Sequence, residues 1–337
     1  MTNLTRMSRR GVLAIGSGAL AAAFIGKGAQ AATTLRYGHM HTPSSIAGAQ
    51  AQWFADAVAE KTGGEINIQI FPNSQLGRLQ ELAESVSTGS IAFSHNTAGA
   101  IGSLYTPFAA FDTPYLYRDV DHLMKVVAAD SPVMQELNDG LIAASGTRAL
   151  YAFYFGTRQL TVNQTALTPA DLAGVKIRSI PFPIYMATVE GLGGVPVPVD
   201  WAEVPTALAT GVVSGQENPL NVLVTANLSD VQSHLILTGH TAAAQVVMMN
   251  DDVWNGLSDA HKEAVATAAE ETRERATQEM LASEDDDLET LRSRGMTIIG
   301  EADGLDLDAF RESVRARISS EFDSQFGDLY TQIDAIS

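Results

Sequence analysis

KIRSIPFPIYMATVEGLGGVPVPVDWAEVPTALATGVVSGQENPL, residues 176–220, decides the fold. A short apolar strand over 175–177 leads directly into the cation Arg178. The helix that follows is closed by Leu192-Gly193-Gly194, residues 195–199 read as a short strand, and 201–211 as a second helix. Strand, helix, strand, helix at this spacing is the repeat of an α/β unit. The stretch ends on the polar turn Gln216-Glu217-Asn218-Pro219. The Arg178 guanidinium cannot lose its charge, and the Asn218 amide both donates and accepts. Together they make a receiver for a carboxylate with polar neighbours.

The same alternation recurs upstream. Residues 35–39 read as a first strand, 47–61 as an amphipathic helix with Trp53, Phe54, Ala57 and Val58 on one face, and 65–71 as an alternating strand. The turn Phe71-Pro72-Asn73-Ser74-Gln75-Leu76-Gly77, a helix to Thr88 and a third strand over 91–94 come next. This order predicts an α/β fold with a mostly parallel sheet, in which ligands bind beyond the carboxyl ends of the strands. His39, Met40 and His41 then follow strand one, and His95, Asn96 and Thr97 follow strand three.

Helices over 120–128 and 132–145 precede a strand over 148–155, in which Tyr151 and Tyr154 alternate with Phe153 and Phe155. The chain crosses to a second lobe at Gly156-Thr157-Arg158, opens a second sheet at 175–177 and returns near 241–250. A long Ala- and Glu-rich helix over 258–294 spans the lobes. The expected organisation is lobe I from 32–155 with about 241–283, and lobe II from 156–240 with about 284–337. Two crossings make a hinge, and a hinge makes an interlobe cleft that can close.

Residues 1–31 read as an export address. Ser8-Arg9-Arg10-Gly11-Val12-Leu13 fits a twin-arginine pattern, 12–25 is a small apolar run, and Ala29-Gln30-Ala31 is a cleavage site. The run falls short of the roughly 20 residues that span a bilayer. Removing this segment takes away Arg6, Arg9, Arg10 and Lys27 and no acid, leaving 17 cations against 39 acids, a net charge of −22. Such a charge argues against nucleic acid as a partner. It also requires that a bound anion be held by local cations. The chain has no cysteine, and 306 residues bury enough apolar surface to fold without disulfides.

Several collinear motifs over about 170 residues resemble the substrate-binding proteins of tripartite ATP-independent periplasmic (TRAP) transporters, the DctP family. They are the 71–77 turn, Asp112-Thr113-Pro114-Tyr115-Leu116, the Thr-Pro-x-Asp-Leu-x-Gly-x-Lys-Ile-Arg run from Thr168 to Arg178, Ala207 to Pro219, and Leu237-Thr238-Gly239-His240. The resemblance implies a two-lobed periplasmic solute-binding protein fold with a hinged interlobe cleft, an organic acid as ligand and membrane permease subunits as partners. It implies Arg178 as the principal carboxylate ligand, Asn218 beside it, and Arg158 as a second arginine at the carboxylate or a remote oxygen.

Trp201 stands where an indole could stack on a sugar ring. Glu217 could accept from a hydroxyl or orient Asn218. On the first lobe His39, His41 and His95 with Asn96 form the group expected to read the rest of the ligand. No hydrolase, zinc-protease, phosphate or dinucleotide motif occurs after residue 31, and His39-x-His41 with His95 is a poor match to zinc-ligand spacing. The expectation is a binding protein, not an enzyme, without cofactor or metal. A dicarboxylate or 2-oxo acid would want a tight cationic pocket and an aromatic acid an apolar one. The His and Asn groups favour a sugar acid such as a hexuronate.

Overall fold

The computed structural model describes residues 32–337. The expected leader and cleavage site lie outside the described residues. The first elements are β1 (Thr33–Gly38), α1 (Ile46–Lys61), β2 (Ile66–Phe71), α2 (Leu79–Ser87), β3 (Phe93–Asn96) and α3 (Ala98–Ile101). Ser45 starts α1 by accepting from the Gly48 N–H, satisfying an amide that the helix leaves unpaired. Gly48 is required there, because a Cβ would stand 1.9 Å from the Thr42 carbonyl oxygen. A 3-10 segment, Thr106–Asp112, then leads to α4 (Val120–Val126), α5 (Pro132–Ser145) and the 16-residue β4 (Thr147–Val162).

The decisive stretch, 176–220, becomes β5 (Lys176–Ser179), α6 (Pro183–Gly191), β6 (Val195–Pro198), α7 (Val204–Ala209) and β7 (Gly215–Pro219), with α8 (Leu220–Thr225) directly behind it. The expected helix over 201–211 is shorter than that: Trp201–Glu203 is a 3-10 turn, and α7 starts beside Pro205, whose missing N–H suits a first helical turn. The 17-residue β8 (His234–Asn250) and α9 (Asp251–Asn255) precede α10 (Asp259–Ser293), β9 (Thr297–Ile299) and α11 (Leu307–Asp334). Ser258 and Asp306 cap the two long helices.

The sheet differs from the expectation in two ways. It is one sheet of nine strands among the described residues, in the order β2-β1-β3-β8-β4-β7-β5-β6 with β9 beside β8. No separate second sheet begins at β5, because β4 and β8 run antiparallel along nearly their full length and carry the hydrogen bonding from one half to the other. The sheet is therefore mixed: β1, β2 and β3 are parallel, as are β5, β6 and β7, while the joints through β4 and β8 are antiparallel.

The register of β4 against β8 slips at Ala149/Tyr151, Tyr154/Gly156 and Arg158/Leu160, and each slip bends and twists the pair. Gly156 sits in that bend with φ 108°, where a Cβ would meet Pro219 at 2.7 Å. At α10, 35 residues give about 50 Å of helix at 1.5 Å per residue. It packs on α1 and β4 and on α8, so it braces both halves of the sheet.

Candidate functional site

Arg178 leaves the carboxyl end of β5 opposite Val197 of β6. Its neighbour β7 pairs through Ile177 and Gly215, which sets Asn218 at the end of the next strand. On the other side of β7, Arg158 of β4 lies in register with Pro219. The three side chains face one small chamber, walled also by His41, Phe155, Trp201 and Gln245. The strand order alone brings together residues as distant in the chain as His41 and Gln245.

Arg158 and Arg178 are both buried, yet their charges are handled differently. The Arg158 guanidinium is engaged bidentately by Glu217, with Nη2 to Oε1 at 2.8 Å, and also donates to the Glu217 carbonyl oxygen at 2.7 Å. Burial favours the neutral form of Glu217, but the Arg158 charge and bonds from Arg158 and His240 outweigh it and hold the carboxyl at about 2. Glu217 therefore stands behind Arg158 as its counterion and is not on the chamber wall. His240 completes the group at 3.1 Å from Glu217.

Arg178, 2% exposed, has no such partner. Its one hydrogen bond runs from Nε to the Val199 carbonyl oxygen at 2.8 Å, and among the described residues no carboxylate forms an ion pair with it. Burial pulls it down to about 10, with Glu217 and Asp200 acting on it only at longer range. It remains charged at neutral pH. A buried cation without a counterion is an expensive arrangement, and here the guanidinium faces a chamber.

Asn218 is held between the two halves of this group. Its Nδ2 donates to Gln216 Oε1 at 2.6 Å, and its Oδ1 accepts from Arg158 Nη2 at 3.2 Å. One N–H and one lone pair are left. Arg158 has spent Nε and Nη2 on Glu217 and Asn218, which leaves Nη1 for the chamber.

The first-half side chains are split by the pleat of β3. His95 and Asn96 lie within β3 instead of beyond it, and successive strand residues point to opposite faces. His95 joins His39 and His41 in a cluster with ring centroids 4.9–6.5 Å apart, and Asn96 points away from it, which corrects their grouping. Burial lowers His39 to about 4; burial, with repulsion from His39, lowers His41 to about 3; and burial, with repulsion from both, holds His95 well below its ordinary value. The three are neutral.

Tyr37 and Gln50 fix His95 Nδ1, while both His39 nitrogens, His41 Nε2, His95 Nε2 and Gln245 Oε1 are buried without protein partners. Only His41 of the three reaches the chamber wall; His39 and His95 lie behind it. Among the described residues no group of His, Cys, Asp or Glu is arranged to hold a metal ion.

The alternation along β4 assigns the aromatic faces. Phe155 lines the chamber, Tyr151 donates to Gln50 at 2.7 Å, and Tyr154 donates to Glu284 at 2.6 Å on the opposite face. Gln245 is a wall residue that sequence reasoning missed; its signal was a lone amide inside the apolar run 242–249. A second missed element is the buried pair Asp112 and Tyr185, which meet at 2.6 Å. The Tyr185 ring lies 5.5 Å from the Arg158 guanidinium, and the Gly99 N–H also donates to Asp112. Burial raises Asp112 to about 6 against those bonds. At the cleft mouth Arg78, before α2, pairs with Asp200 at 2.6 Å.

The family described as bacterial extracellular solute-binding protein, family 7 (DctP), matches residues 37–325. The 2,3-diketo-L-gulonate-binding periplasmic protein YiaO of Escherichia coli is 30% identical over 312 residues, covering 91% of this chain and 93% of its own. A TRAP periplasmic solute-binding protein from Polaromonas, solved bound to D-erythronate, is 31% identical with a TM-score of 0.84, over 90% of this chain and 99% of that one. Another from Roseobacter denitrificans, solved with bound L-galactonate, is 27% identical with a TM-score of 0.83, over 90% and 98%. Among the described residues no helix is long and apolar enough to cross a membrane.

Proposed function

Because the chain belongs to family 7 of the bacterial extracellular solute-binding proteins, the solute receptors of TRAP transporters and not enzymes, we propose that it captures a sugar acid in the periplasm and delivers it to its membrane permease. The observation that carries the ligand class is Arg178, a buried cation without a counterion on the wall of a chamber. A carboxylate completes that pair bidentately, and charge-assisted bonds of this kind are the strong ones. Arg158 Nη1 and the free capacity of Asn218 take the second oxygen or the hydroxyl next to it. Trp201 covers the ring, and His41 and Gln245 read hydroxyls at the far side, with His39 and His95 behind them.

Relatives at about this identity bind 2,3-diketo-L-gulonate, D-erythronate and L-galactonate, acids that carry oxygen functions beside the carboxylate. The neutral, unpartnered His41 and Gln245 atoms support the same chemistry here. We place lobe I at 32–155 with about 241–283 and lobe II at 156–240 with about 284–337, so that the ligand bridges them and stabilises the closed cleft.

Thermal-shift screening tests the assignment. A ligand at a hundred times its Kd adds about 2.7 kcal/mol to the stability of the folded state. Uronates and aldonates are expected to raise Tm, while succinate, 2-oxo acids and hydroxybenzoates lacking the hydroxyl set raise it far less. A hydroxybenzoate or succinate that outranks every sugar acid overturns the ligand class.

A further inference from the structure

The chamber around Arg178 is not the end of the cleft. Met40, His41, Trp201 and Val222 form a shared wall between it and an outer space that opens to solvent. This vestibule stays open although contacts across the cleft are made: Arg78 to Asp200 at the mouth and Tyr185 to Asp112 in the interior. The side away from the Arg78–Asp200 pair keeps room for more ligand.

The chemistry of the vestibule differs from that of the chamber. Thr42, Asn73 and Ser74 supply hydroxyl and amide groups, Trp201 and Pro205 supply an apolar platform, and its lining carries no Asp, Glu, Lys or Arg; the Ser45 and Thr225 hydroxyls there are already bonded to backbone. An aromatic platform with neutral hydrogen-bonding groups suits an uncharged carbohydrate unit, and a second carboxylate or a phosphate would find no counterion. Asn73 and Ser74 are set there at a conformational cost. Both are non-glycine residues with positive φ, 55° and 58°. Their N–H groups are tied to the His41 and His39 carbonyls at 3.1 and 3.0 Å. Strained backbone of this kind persists where the surroundings enforce it and is concentrated at functional sites. Neither side chain spends its hydrogen-bonding capacity on a described residue, so both are free for a ligand.

We propose that the vestibule is a second subsite for a neutral sugar attached to the acid, so that the receptor takes a glycosylated aldonate or uronate with its carboxylate on Arg178 and the attached ring on the outer side of Trp201. The inference rests on the sugar-acid reading of the chamber and extends it by one unit. It makes Asn73 and Ser74 determinants of ligand length with no part in holding the carboxylate.

Calorimetric titration of the mature protein with gluconate, lactobionate and maltobionate tests it, since the latter two are gluconate bearing galactose or glucose at O4. At least one glycosylated acid is expected to bind ten times or more tighter than gluconate. Asn73→Gly keeps the left-handed backbone without strain and removes only the amide, so its fold is safe. It is expected to lower the affinity for the glycosylated acid by threefold or more and to leave that for gluconate unchanged. If gluconate, glucuronate or galacturonate binds and neither glycosylated acid exceeds gluconate, the subsite is refuted while the sugar-acid reading stands. If Asn73→Gly weakens all acids equally, the vestibule role is likewise refuted. If no sugar acid of either length binds, the reading beneath it falls as well.

Discussion

Replacing Arg178 by methionine, which keeps much of its volume, should have opposite effects on the free and the liganded protein. In the free protein Arg178 is 2% exposed and has one hydrogen bond, to Val199. Burial lowers it from the ordinary guanidinium value to about 10. Since a tenfold change in proton affinity corresponds to about 1.4 kcal/mol, the buried charge costs the folded state about 3 kcal/mol. Methionine removes that cost and gives up one hydrogen bond, worth about 1 kcal/mol. The unliganded variant should therefore be about 2 kcal/mol more stable and melt a few degrees higher.

The liganded state loses the partner of its carboxylate. Truncating one member of a buried charge pair costs about 2–5 kcal/mol, or roughly thirtyfold to several thousandfold in Kd. Arg158 cannot substitute, because Glu217 already neutralises it. Calorimetry measures both quantities on the same sample. Affinity within threefold of wild type refutes the carboxylate role, and a melting temperature lowered by several degrees shows that Arg178 is instead a structural residue.

Glu217→Gln should cost about 3 kcal/mol or more of stability, because it leaves Arg158 buried with its counterion removed; an unchanged denaturation midpoint contradicts this. Stability of the free protein should fall between pH 7 and pH 5. His39 and His41, lowered by burial to about 4 and about 3, stay neutral while the unfolded chain takes up protons below 6.5, so each removes about 2 kcal/mol of stability by pH 5. Asp112, raised by burial to about 6, acts the other way, since its folded form keeps a proton that the unfolded chain releases above 3.8, and it offsets about 1 kcal/mol over the same range. Melts at the two pH values check the sign, and a Tm that rises on acidification contradicts it. Asp200→Asn opens the mouth pair with Arg78, and an exposed pair worth about 0.2–1 kcal/mol should raise ligand dissociation up to about fivefold with little change in association; stopped-flow release resolves the two rates.

The legible parts of the sequence were those governed by local rules. The bounds of α5 and α10 follow from Pro132 at a first helical position and from the Ser258 cap, and both helices lie where the sequence placed them. The placement of Arg178 and Asn218 at neighbouring strand ends was readable from the short strand ending at Arg178 and the polar turn at 216–219, and the structure sets both on one chamber wall. Non-local pairing was not readable. Nothing in residues 147–162 or 234–250 announces that these strands join both halves into one mixed sheet, since parallel and antiparallel neighbours leave the same alternation. A boundary error of two residues in β3 was enough to misassign Asn96, because the pleat reverses a side chain with each step. Glu217 was identified as important, but the sequence does not reveal that it faces Arg158 instead of the chamber. The Asp112–Tyr185 contact, 73 residues apart, carries no sequence signal of pairing.

A crystal structure of residues 32–337 with the sugar acid that gives the largest thermal shift shows where the carboxylate sits. One carboxylate is expected bidentately on Arg178, with N···O distances of about 2.7–2.9 Å, one of its oxygens or the adjacent hydroxyl within reach of Arg158 and Asn218, and hydroxyls meeting His41 or Gln245. A ligand whose carboxylate lies elsewhere, with Arg178 still bonded only to the Val199 carbonyl, contradicts it.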